Sequence, residues 1–319
     1  MFDTSKLVVI ALGGNAIKQP DEEGTFKQQL NNVVLTAHQL VEMNRRGYKL
    51  ILTHGNGPQA GNLLIQQEEG KALVPPQPLD VLGAMTQGQI GFMFQDQLQN
   101  AFRIVGKQIP IATVVTQVLV NKDDPDFDNP SKPVGPFYTK AEADDLRESK
   151  GYLLKEVKPG TEKSWRRVVP SPEPIDIIEA FSIKTLVNAR VIVITAGGGG
   201  VPVIEKDNQQ LRGVEAVIDK DKAGQVLAKV VDAHIFLILT DVENAFINFG
   251  QPDQKALNEV TVAKMEQHLA DGQFLAGSMG PKVEACIRFM KSGGDRAIIT
   301  SLNKAVAALE GKTGTRIVP

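Results

Sequence analysis

Three glycine-rich turns follow apolar, strand-like runs, and they are the part of the sequence with the clearest chemical meaning. They are Leu12-Gly13-Gly14-Asn15, Thr53-His54-Gly55-Asn56-Gly57-Pro58 and Thr195-Ala196-Gly197-Gly198-Gly199-Gly200. Glycine lets backbone N–H groups approach an anion closely, and open α/β sheets bind ligands beyond the carboxyl ends of their strands. One such turn could serve chain geometry alone, whereas three together predict a shared phosphate-binding crevice.

Two lysines stand where local rules do not favour a cation. Pro281 suits the first position of a helix, so Lys282 falls in a first turn, where an acidic residue would be preferred. Lys220 lies between two carboxylates in Asp219-Lys220-Asp221-Lys222. Either lysine could be an ordinary solvated side chain. Beside glycine turns, however, they indicate point charges for phosphoryl transfer, which needs alignment and charge neutralisation above all.

Other catalytic motifs fit the sequence poorly. The run Gly311-Lys312-Thr313 resembles the end of a P-loop, but the required earlier glycine is Val306. The run from Gly55 to Ala60 matches a dinucleotide fingerprint, but the region that should form the second strand, residues 74–78, is rich in proline. No G-x-S-x-G is present, and the four histidines lack the spacing of metal ligands. These mismatches argue against a P-loop enzyme, a dinucleotide-dependent enzyme and a hydrolase, and they leave phosphoryl transfer as the favoured chemistry.

Composition narrows the class of protein. The 319 residues are 42% apolar and 23% charged, with 35 Lys plus Arg against 37 Asp plus Glu, a net charge of −2. This balance excludes a disordered chain and lacks the basic footprint of a nucleic-acid binder. The single cysteine, Cys286, gives no intrachain disulfide. Because no apolar run approaches the length of a membrane helix, we expect a cytoplasmic enzyme without membrane or nucleic-acid partners.

Apolar runs and helical stripes alternate along the chain, which predicts an α/β fold with a mostly parallel sheet and helices on both faces. The predicted strands are Leu7–Leu12, Tyr48–Thr53, Ile109–Val118, Val191–Ala196, Ile235–Thr240 and Ala297–Thr300, and the clearest helices are Thr25–Asn44 and Leu79–Phe102. The proline-rich segment 121–174 breaks this pattern and predicts an inserted subdomain. Its basic run of Lys155, Lys158, Lys163, Arg166 and Arg167 is interpreted as a solvated face.

The motifs, taken in order, resemble those of the carbamate kinases, a branch of the amino-acid kinase superfamily, over essentially the whole chain. The matching segments are residues 10–16, 54–59, 131–138, 213–221 and 277–282. Wider superfamily members usually carry a lysine two residues before the paired glycines, where this chain has Ala11. The carbamate kinase branch instead brings a lysine from its protruding subdomain, which matches Lys132.

The resemblance implies a three-layer αβα fold with an open, mostly parallel twisted sheet. It implies an N-terminal lobe over residues 1–200 for carbamate or carbamoyl phosphate, with the inserted subdomain at 122–173, and a C-terminal nucleotide-binding lobe over 201–319. It also implies a homodimer. The implied reaction is the reversible conversion of carbamoyl phosphate and MgADP into carbamate and MgATP, used to form ATP in arginine catabolism.

Site residues follow from the same resemblance. Catalysis is expected from Lys132, Lys220, Asp221 and Lys282, and substrate binding from Gly13, Gly14, Asn15, Gly55, Asn56, Gly57, Gly198 and Gly199. The nucleotide is expected near Thr240, Asp241, Val242, Gly277, Ser278, Met279 and Gly280. Mg²⁺ should be held mainly by the phosphates of ATP or ADP, without a protein metal site. The alternatives are a related kinase with another small carboxylate or carbamoyl substrate, and a non-catalytic nucleotide-binding paralogue.

Overall fold

The computed structural model describes residues 6–275 and 277–319. Its helices are α1 (Phe26–Arg45), α2 (Gly57–Gly70), α3 (Leu79–Ile104), α4 (Lys140–Lys150), α5 (Ala180–Asn188), α6 (Lys220–Val230), α7 (Val262–Ala270), α8 (Met279–Lys291) and α9 (Ala305–Leu309). Its strands are β1 (Leu7–Leu12), β2 (Lys49–His54), β3 (Ile111–Val114), β4 (Gln117–Val120), β5 (Lys132–Tyr138), β6 (Leu154–Glu156), β7 (Trp165–Val169), β8 (Pro174–Ile177), β9 (Ile192–Thr195), β10 (Val201–Glu205), β11 (Leu211–Gly213), β12 (Ile235–Thr240), β13 (Phe246–Ile247), β14 (Lys255–Ala256), β15 (Glu259–Thr261), β16 (Arg296–Ser301) and β17 (Thr315–Val318).

The largest sheet brings the glycine turns to one edge of the molecule. Its strand order within the described residues is β15-β17-β16-β12-β1-β2-β9-β3, and the strands from β16 to β3 are parallel. Only the far end reverses, because β17 runs antiparallel to β16. Leu12 pairs with His54 on one side and with Leu239 on the other. The strands β1, β2 and β12 therefore end level, and the turns that follow them are neighbours.

Helices cover both faces of this sheet, so the predicted three-layer α/β architecture is confirmed. Side chains of a strand alternate between faces. In β1, Val8 and Ile10 pack into the core formed with α1 and α3, whereas Val9 and Ala11 pack into the core formed with α6 and α8. All four side chains are fully buried, which explains why β1 is a continuous apolar run rather than an alternating one.

The helix α1 shows why the sequence pattern was informative. Thr25 and Gln28 form a capping box, in which each side chain bonds to the backbone of the other residue. The helix ends at Arg45, and Gly47 follows with φ +91°, a conformation suited to glycine after a helix. The helix and its glycine stop are both as predicted. None of the described helices is both long enough and apolar enough to cross a membrane.

Residues of the insertion form a small sheet of their own. The strands β5, β7 and β6 pair antiparallel, and α4 lies between β5 and β6 in the chain. The chain enters the insertion from β4 and returns through β8, and these two strands pair with each other in a second small sheet, β11-β10-β4-β8. The two crossings of the insertion are therefore adjacent.

One sequence prediction needs correction, and another stays untested. The strand expected over Ile109–Val118 is two strands, β3 in the large sheet and β4 in the four-stranded sheet. The break lies at Thr116, whose N–H donates to Gln87 Oε1 (2.8 Å) and whose hydroxyl bonds to the Val114 carbonyl (2.8 Å). The division into lobes at residue 200 stays a prediction, since the large sheet continues across that point and β10 and β11 pair alongside β4.

Candidate active site

A cavity of about 640 Å³ opens where β1, β2 and β9 end. The predicted substrate residues in its lining are Gly14, Gly55, Asn56, Gly57 and Gly198, and all four predicted catalytic residues, Lys132, Lys220, Asp221 and Lys282, line it as well. Gly13, Asn15 and Gly199 are not part of the lining. The cavity thus brings together lysines that are separated in sequence by up to 150 residues.

The first two glycine turns are fixed by hydrogen bonds to neighbouring strands. Gly13 N donates to the Leu239 carbonyl (2.8 Å), and a Cβ atom on Gly13 would lie 2.8 Å from that same oxygen. Gly55 N donates to the Leu12 carbonyl (3.1 Å), and its Cβ position lies 3.5 Å from the Lys220 side chain. At Gly13 a side chain would collide with the neighbouring backbone, whereas at Gly55 a Cβ atom would only contact Lys220 at an ordinary distance.

The third turn adopts conformations that favour glycine. Gly198 and Gly199 have φ values of +67° and +95°. A Cβ atom on Gly198 would lie 2.2 Å from the Asn56 side chain, and one on Gly199 would lie 2.4 Å from the Ile218 carbonyl oxygen. The turn therefore touches both the β2 turn and the segment that leads into α6, and larger residues would separate these parts of the cavity wall.

Two of the lysines share one carboxylate. Lys220 Nζ lies 2.5 Å from Asp221 Oδ1, and Lys282 Nζ lies 3.1 Å from Asp221 Oδ2. Lys220 and Asp221 begin α6, whereas Lys282 lies in the first turn of α8 and also donates to the Ser278 carbonyl at 3.4 Å. The cation that local rules disfavoured at the start of α8 is therefore held by a carboxylate of another helix.

Asp221 is only 3% exposed, yet it is charged. Burial by itself would raise the pKa of this carboxyl group, but the charges and hydrogen bonds of Lys220 and Lys282 hold it below its ordinary value. Both carboxylate oxygens are used by the lysines. The cluster of two ammonium groups and one carboxylate keeps one net positive charge beside the cavity.

The third lysine comes from the insertion and meets a second carboxylate. Lys132 in β5 places its Nζ 3.3 Å from Asp219 Oδ2. The other oxygen of Asp219 accepts hydrogen bonds from the N–H groups of Asp221 (2.9 Å) and Lys222 (3.3 Å), so Asp219 is the N-cap of α6. Asp219 thus connects the insertion with the helix that carries Lys220.

His54 is buried at the end of β2 and is neutral. Its ring is 1% exposed and stacks on Phe94 with centroids 6.2 Å apart. Burial lowers its pKa to about 4, the hydrogen bond from Nδ1 to the Gly55 carbonyl (3.0 Å) opposes this change, and the charge of Lys220 adds to it. A neutral ring that supports the glycine turn is a structural element and supplies no cation.

The residues expected to bind nucleotide lie apart from this cavity, and none of them is in its lining. Thr240 ends β12, and its Cα lies 3.6 Å from the Cβ position of Gly13, so the nucleotide set adjoins the first glycine turn. Thr240 Oγ1 donates to Asp241 Oδ1 at 2.9 Å, and Val242 follows. Gly277 and Ser278 precede α8, which begins with Met279 and Gly280. Lys282 is the link between this set and the cavity.

Sequence analysis did not assign two charged residues of the cavity wall, Arg166 and Asp219, to the site. Interpreting the basic run as a solvated face was wrong for its last two members. Arg166 is half-buried and donates from both Nε and Nη2 to the Gly135 carbonyl (3.1 and 2.8 Å), while Arg167 donates to Glu215 (2.9 Å). No sequence signal marked them, because β7 was not among the predicted strands and its position beside the cavity is seen only in the structure.

The described residues contain no group of three or more His, Cys, Asp or Glu side chains that could hold a metal ion. Both oxygens of the two carboxylates nearest the cavity are already engaged, those of Asp221 by lysines and those of Asp219 by a lysine and by backbone N–H groups. Any cation that accompanies a phosphate ligand would therefore rely on the ligand's own oxygens.

The neutral state of His54 makes the stability of the protein depend on pH. The pKa of His54 is about 4 in the folded protein, below its ordinary value of 6.5. Between these two pH values the unfolded chain binds more protons than the folded protein, so the free energy of unfolding decreases as the pH falls from 6.5 to about 4. The loss from this residue should reach about 3 kcal/mol at about pH 4. We expect His54→Gln to lack this component. Urea unfolding of both proteins between neutral pH and pH 4 measures it, and equal pH slopes would contradict it.

Comparison with known proteins agrees with this site. The family model described as the amino acid kinase family matches residues 6–301. The chain is 52% identical over 316 residues to the carbamate kinase of Pyrococcus furiosus, covering 98% of this chain and 99% of the relative. It is 54% identical over 316 residues to the carbamate kinase of Thermococcus kodakarensis, with the same coverage.

A solved structure gives the same assignment. The carbamate kinase from Giardia lamblia bound to AMP-PNP is similar over 98% of both chains, with a TM-score of 0.93 and 46% sequence identity. The similarity spans the large sheet, the insertion and both ends of the cavity, because almost no part of either chain is left out. The chain therefore belongs to the amino acid kinase family and, within it, to the carbamate kinases.

Proposed function

We propose that this protein transfers a phosphoryl group between carbamoyl phosphate and MgADP, giving carbamate and MgATP, and that it works in the ATP-forming direction in arginine catabolism. The observation that carries the proposal is the pair of lysines on one buried carboxylate, facing a cavity lined by glycine turns. The relatives named carbamate kinase, and the AMP-PNP bound to one of them, support the choice of substrates. We place the reaction in the cytoplasm.

The chemistry needs little from the protein beyond alignment and positive charge. A terminal oxygen of ADP attacks the phosphorus of carbamoyl phosphate, the bond from phosphorus to the carbamoyl oxygen breaks, and its electron pair leaves with carbamate. Both the attacking oxygen and the leaving group are anionic, so no proton has to move and no general base is required. What must be stabilised is the negative charge on the transferred oxygens.

Lysines 132, 220 and 282 supply that charge in this proposal. Lys220 and Lys282 approach from the α6 and α8 side, and Lys132 approaches from the insertion. Asp221 holds the first two at fixed positions, so they do not have to reorganise when the phosphoryl group arrives. The cavity is large enough for a compact doubly charged ligand beneath the insertion.

Backbone amides do the remaining positioning. The turns with Gly13, Gly14 and Asn15 and with Gly55, Asn56 and Gly57 would hold the carbamoyl phosphate side, together with Gly198 and Gly199. The nucleotide would lie over the set of Thr240, Asp241, Val242, Gly277, Ser278, Met279 and Gly280. Mg²⁺ would be bound by phosphate oxygens and water, since the carboxylates beside the cavity are engaged by lysines. It would supply further charge neutralisation.

The direct test is the formation of ATP from a phosphoryl donor and MgADP. We expect more ATP from carbamoyl phosphate than from acetyl phosphate or acetylglutamyl phosphate, because the relatives that match nearly the whole chain are carbamate kinases. A luciferase-coupled assay of the purified protein, run with the three donors side by side, measures this. ATP from either of the other donors and none from carbamoyl phosphate would overturn the proposal, as would nucleotide binding without any turnover.

Lysine substitutions test the mechanism. If Lys220 and Lys282 stabilise charge that develops in the transition state, Lys→Ala at either position should lower kcat by about 10²–10³ while the KM values change much less. Lys→Arg should restore little activity, because a planar guanidinium cannot replace a compact ammonium group on the same carboxylate oxygen. Steady-state kinetics with both substrates saturating measures this.

A matched control is Lys264→Ala, since this lysine is exposed on α7 and its ammonium group bonds only to Gln267 (2.9 Å) among the described residues. Its turnover should equal that of the unaltered protein. If the Lys220 and Lys282 alanine variants stayed within about threefold of that value, both would be surface residues without a catalytic role.

We also propose that two copies of the chain associate through α3 and the adjacent sheet edge. The outer side of α3 exposes Val81, Met85 and Phe92, which are 37%, 42% and 63% exposed, while its inner side is buried in the core. The strand β3 is the last strand of the large sheet on this side. An apolar helix face beside a sheet edge suits pairing with an identical surface about a twofold axis.

Light scattering tests the association. The unaltered protein should have a mass near twice 34.6 kDa, and Phe92→Glu should lower it toward 34.6 kDa, because a carboxylate would be buried in the pair. Phe249→Glu is the control, since this exposed phenylalanine lies near the β13–β14 hairpin, in the other half of the chain. A monomer at micromolar concentration before any substitution would contradict the proposal.

A further inference from the structure

The candidate catalytic lysines belong to three separate elements. Lys132 lies in β5 of the insertion, Lys220 in α6 and Lys282 in α8. Asp221 joins α6 to α8, and the hydrogen bonds of its carboxylate group among the described residues go to Lys220 and Lys282 rather than to the insertion. The pair of Lys132 and Asp219 joins the insertion to α6, yet this contact must open if Lys132 is to move onto a phosphoryl group. A contact that reaches both α6 and α8 would keep the insertion aligned with the two helices while that pair is open.

Glu173, the residue before β8, makes that contact. One of its carboxylate oxygens bonds to Lys222 of α6, and the other accepts from Arg288 Nη1 of α8 at 2.7 Å. Arg288 Nη2 donates to Glu284 at 2.5 Å, and Glu284 lies 4.0 Å from Lys222. The four side chains close a ring between the base of the insertion and the two helices. Lys222 is two residues from Lys220, and Glu284 is two residues from Lys282.

The backbone of Glu173 connects this ring to β5. Its N–H donates to Asp124 Oδ2 (3.0 Å) on the other crossing of the insertion. One carboxylate oxygen of Asp126 accepts both from Ser171 N and from Ser131 Oγ (3.1 Å), and Ser131 directly precedes Lys132. A short path of hydrogen bonds thus runs from the Glu173 segment to the residue beside Lys132.

The ion pairs of this ring are better suited to holding the insertion in position than to stabilising the folded protein. Burial would raise the pKa of Glu173, but the hydrogen bonds and charges of Lys222 and Arg288 hold it below its ordinary value, so it is ionised at neutral pH. The Glu173 side chain is 46% exposed and that of Arg288 is 41% exposed. Ion pairs this exposed contribute little to the free energy of folding, although a network of them can restrict geometry.

We infer that Glu173 is a positioning residue, which orients the insertion, and with it Lys132, relative to the helices that carry Lys220 and Lys282. The inference rests on the catalytic role proposed for Lys132. Glu173 bonds to Lys222 and Arg288, whereas Asp221 bonds to Lys220 and Lys282. Loss of the Glu173 carboxylate should therefore slow phosphoryl transfer while Lys220, Lys282 and Asp221 stay in the cavity.

The variant Glu173→Gln keeps the size of the side chain but removes its charge. We expect kcat to fall about tenfold, because displacing a catalytic group by about 1 Å can cost up to about 10² in rate, while KM for MgADP changes little. The control is Glu266→Gln, which removes an ion pair to Lys291 at the other end of α8 and should leave kcat unchanged. If Glu173→Gln were to fold poorly, Arg288→Lys provides a second variant, because it keeps the charge but cannot bridge Glu173 and Glu284.

A double-mutant cycle with Lys132→Ala separates positioning from general weakening of the fold. If Glu173 acts through Lys132, the double variant should be about as slow as Lys132→Ala alone. Losses that multiply would overturn the inference and leave the role of Lys132 intact. An unchanged kcat in Lys132→Ala would instead overturn the proposed role of that lysine, and the inference with it.

Discussion

The carboxylate of Asp221 lies buried between two ammonium groups, and the geometry of the site depends on this contact. A buried charge is costly unless it is paired and hydrogen-bonded, and here Lys220 and Lys282 each occupy one oxygen. In return, the carboxylate allows two cations to lie side by side, which their mutual repulsion would otherwise oppose. Because the lysines belong to different helices, α6 and α8 must pack closely enough for one side chain to reach both.

On the other side of the cavity, the sheet holds the third glycine turn in a fixed position. The third glycine turn is held by threonine hydroxyl groups from neighbouring segments: Thr53 donates to the Ala196 carbonyl (2.8 Å), and Ala196 N donates to Thr116 Oγ1 (2.9 Å). Ala196 itself has φ +51°, an uncommon conformation for a residue with a side chain. These buried bonds stabilise the uncommon backbone conformation of the turn and hold it against β2 and the segment between β3 and β4.

The sequence predicted those parts of the molecule that local patterns determine. The strand β1 matches its apolar run from Leu7 to Leu12, and α1 matches a hydrophobic stripe with a capping box at Thr25. Other features depend on contacts between distant residues. The pair of Lys132 and Asp219 spans 87 positions, and the break between β3 and β4 depends on a bond from Thr116 to Gln87 in α3. No local periodicity signals such a contact. The resemblance to a known family supplied Lys132, whereas Arg166 lay in a run that looked like solvent-exposed charge.

The three helices that begin at the site differ in how their N-termini are satisfied, and the difference suits two anionic substrates. Asp219 caps α6, so the free N–H groups of that helix are used internally and serve to position Lys220. By contrast, neither Asn56 before α2 nor Ser278 before α8 caps its helix with a side-chain hydrogen bond. The first turns of α2 and α8 therefore keep partial positive charge for a ligand, although Gly280 N of α8 already donates to the Leu275 carbonyl (2.9 Å) and Pro58 and Pro281 have no N–H.

The positions of these two helices match the two sides of the reaction. The N-terminus of α2 follows the β2 turn on the proposed carbamoyl phosphate side, and that of α8 lies on the proposed nucleotide side. Lys282 belongs to the first turn of α8, and Asp221 ties it to α6 between the two sides. The partial positive charge at the start of each helix can attract an anionic substrate, which leaves the lysine charges free to act on the group that moves between the two. An acidic N-cap on α2 or α8 would repel the anionic substrate at that end. On α6, the acidic N-cap Asp219 instead pairs with Lys132 and holds it at the cavity.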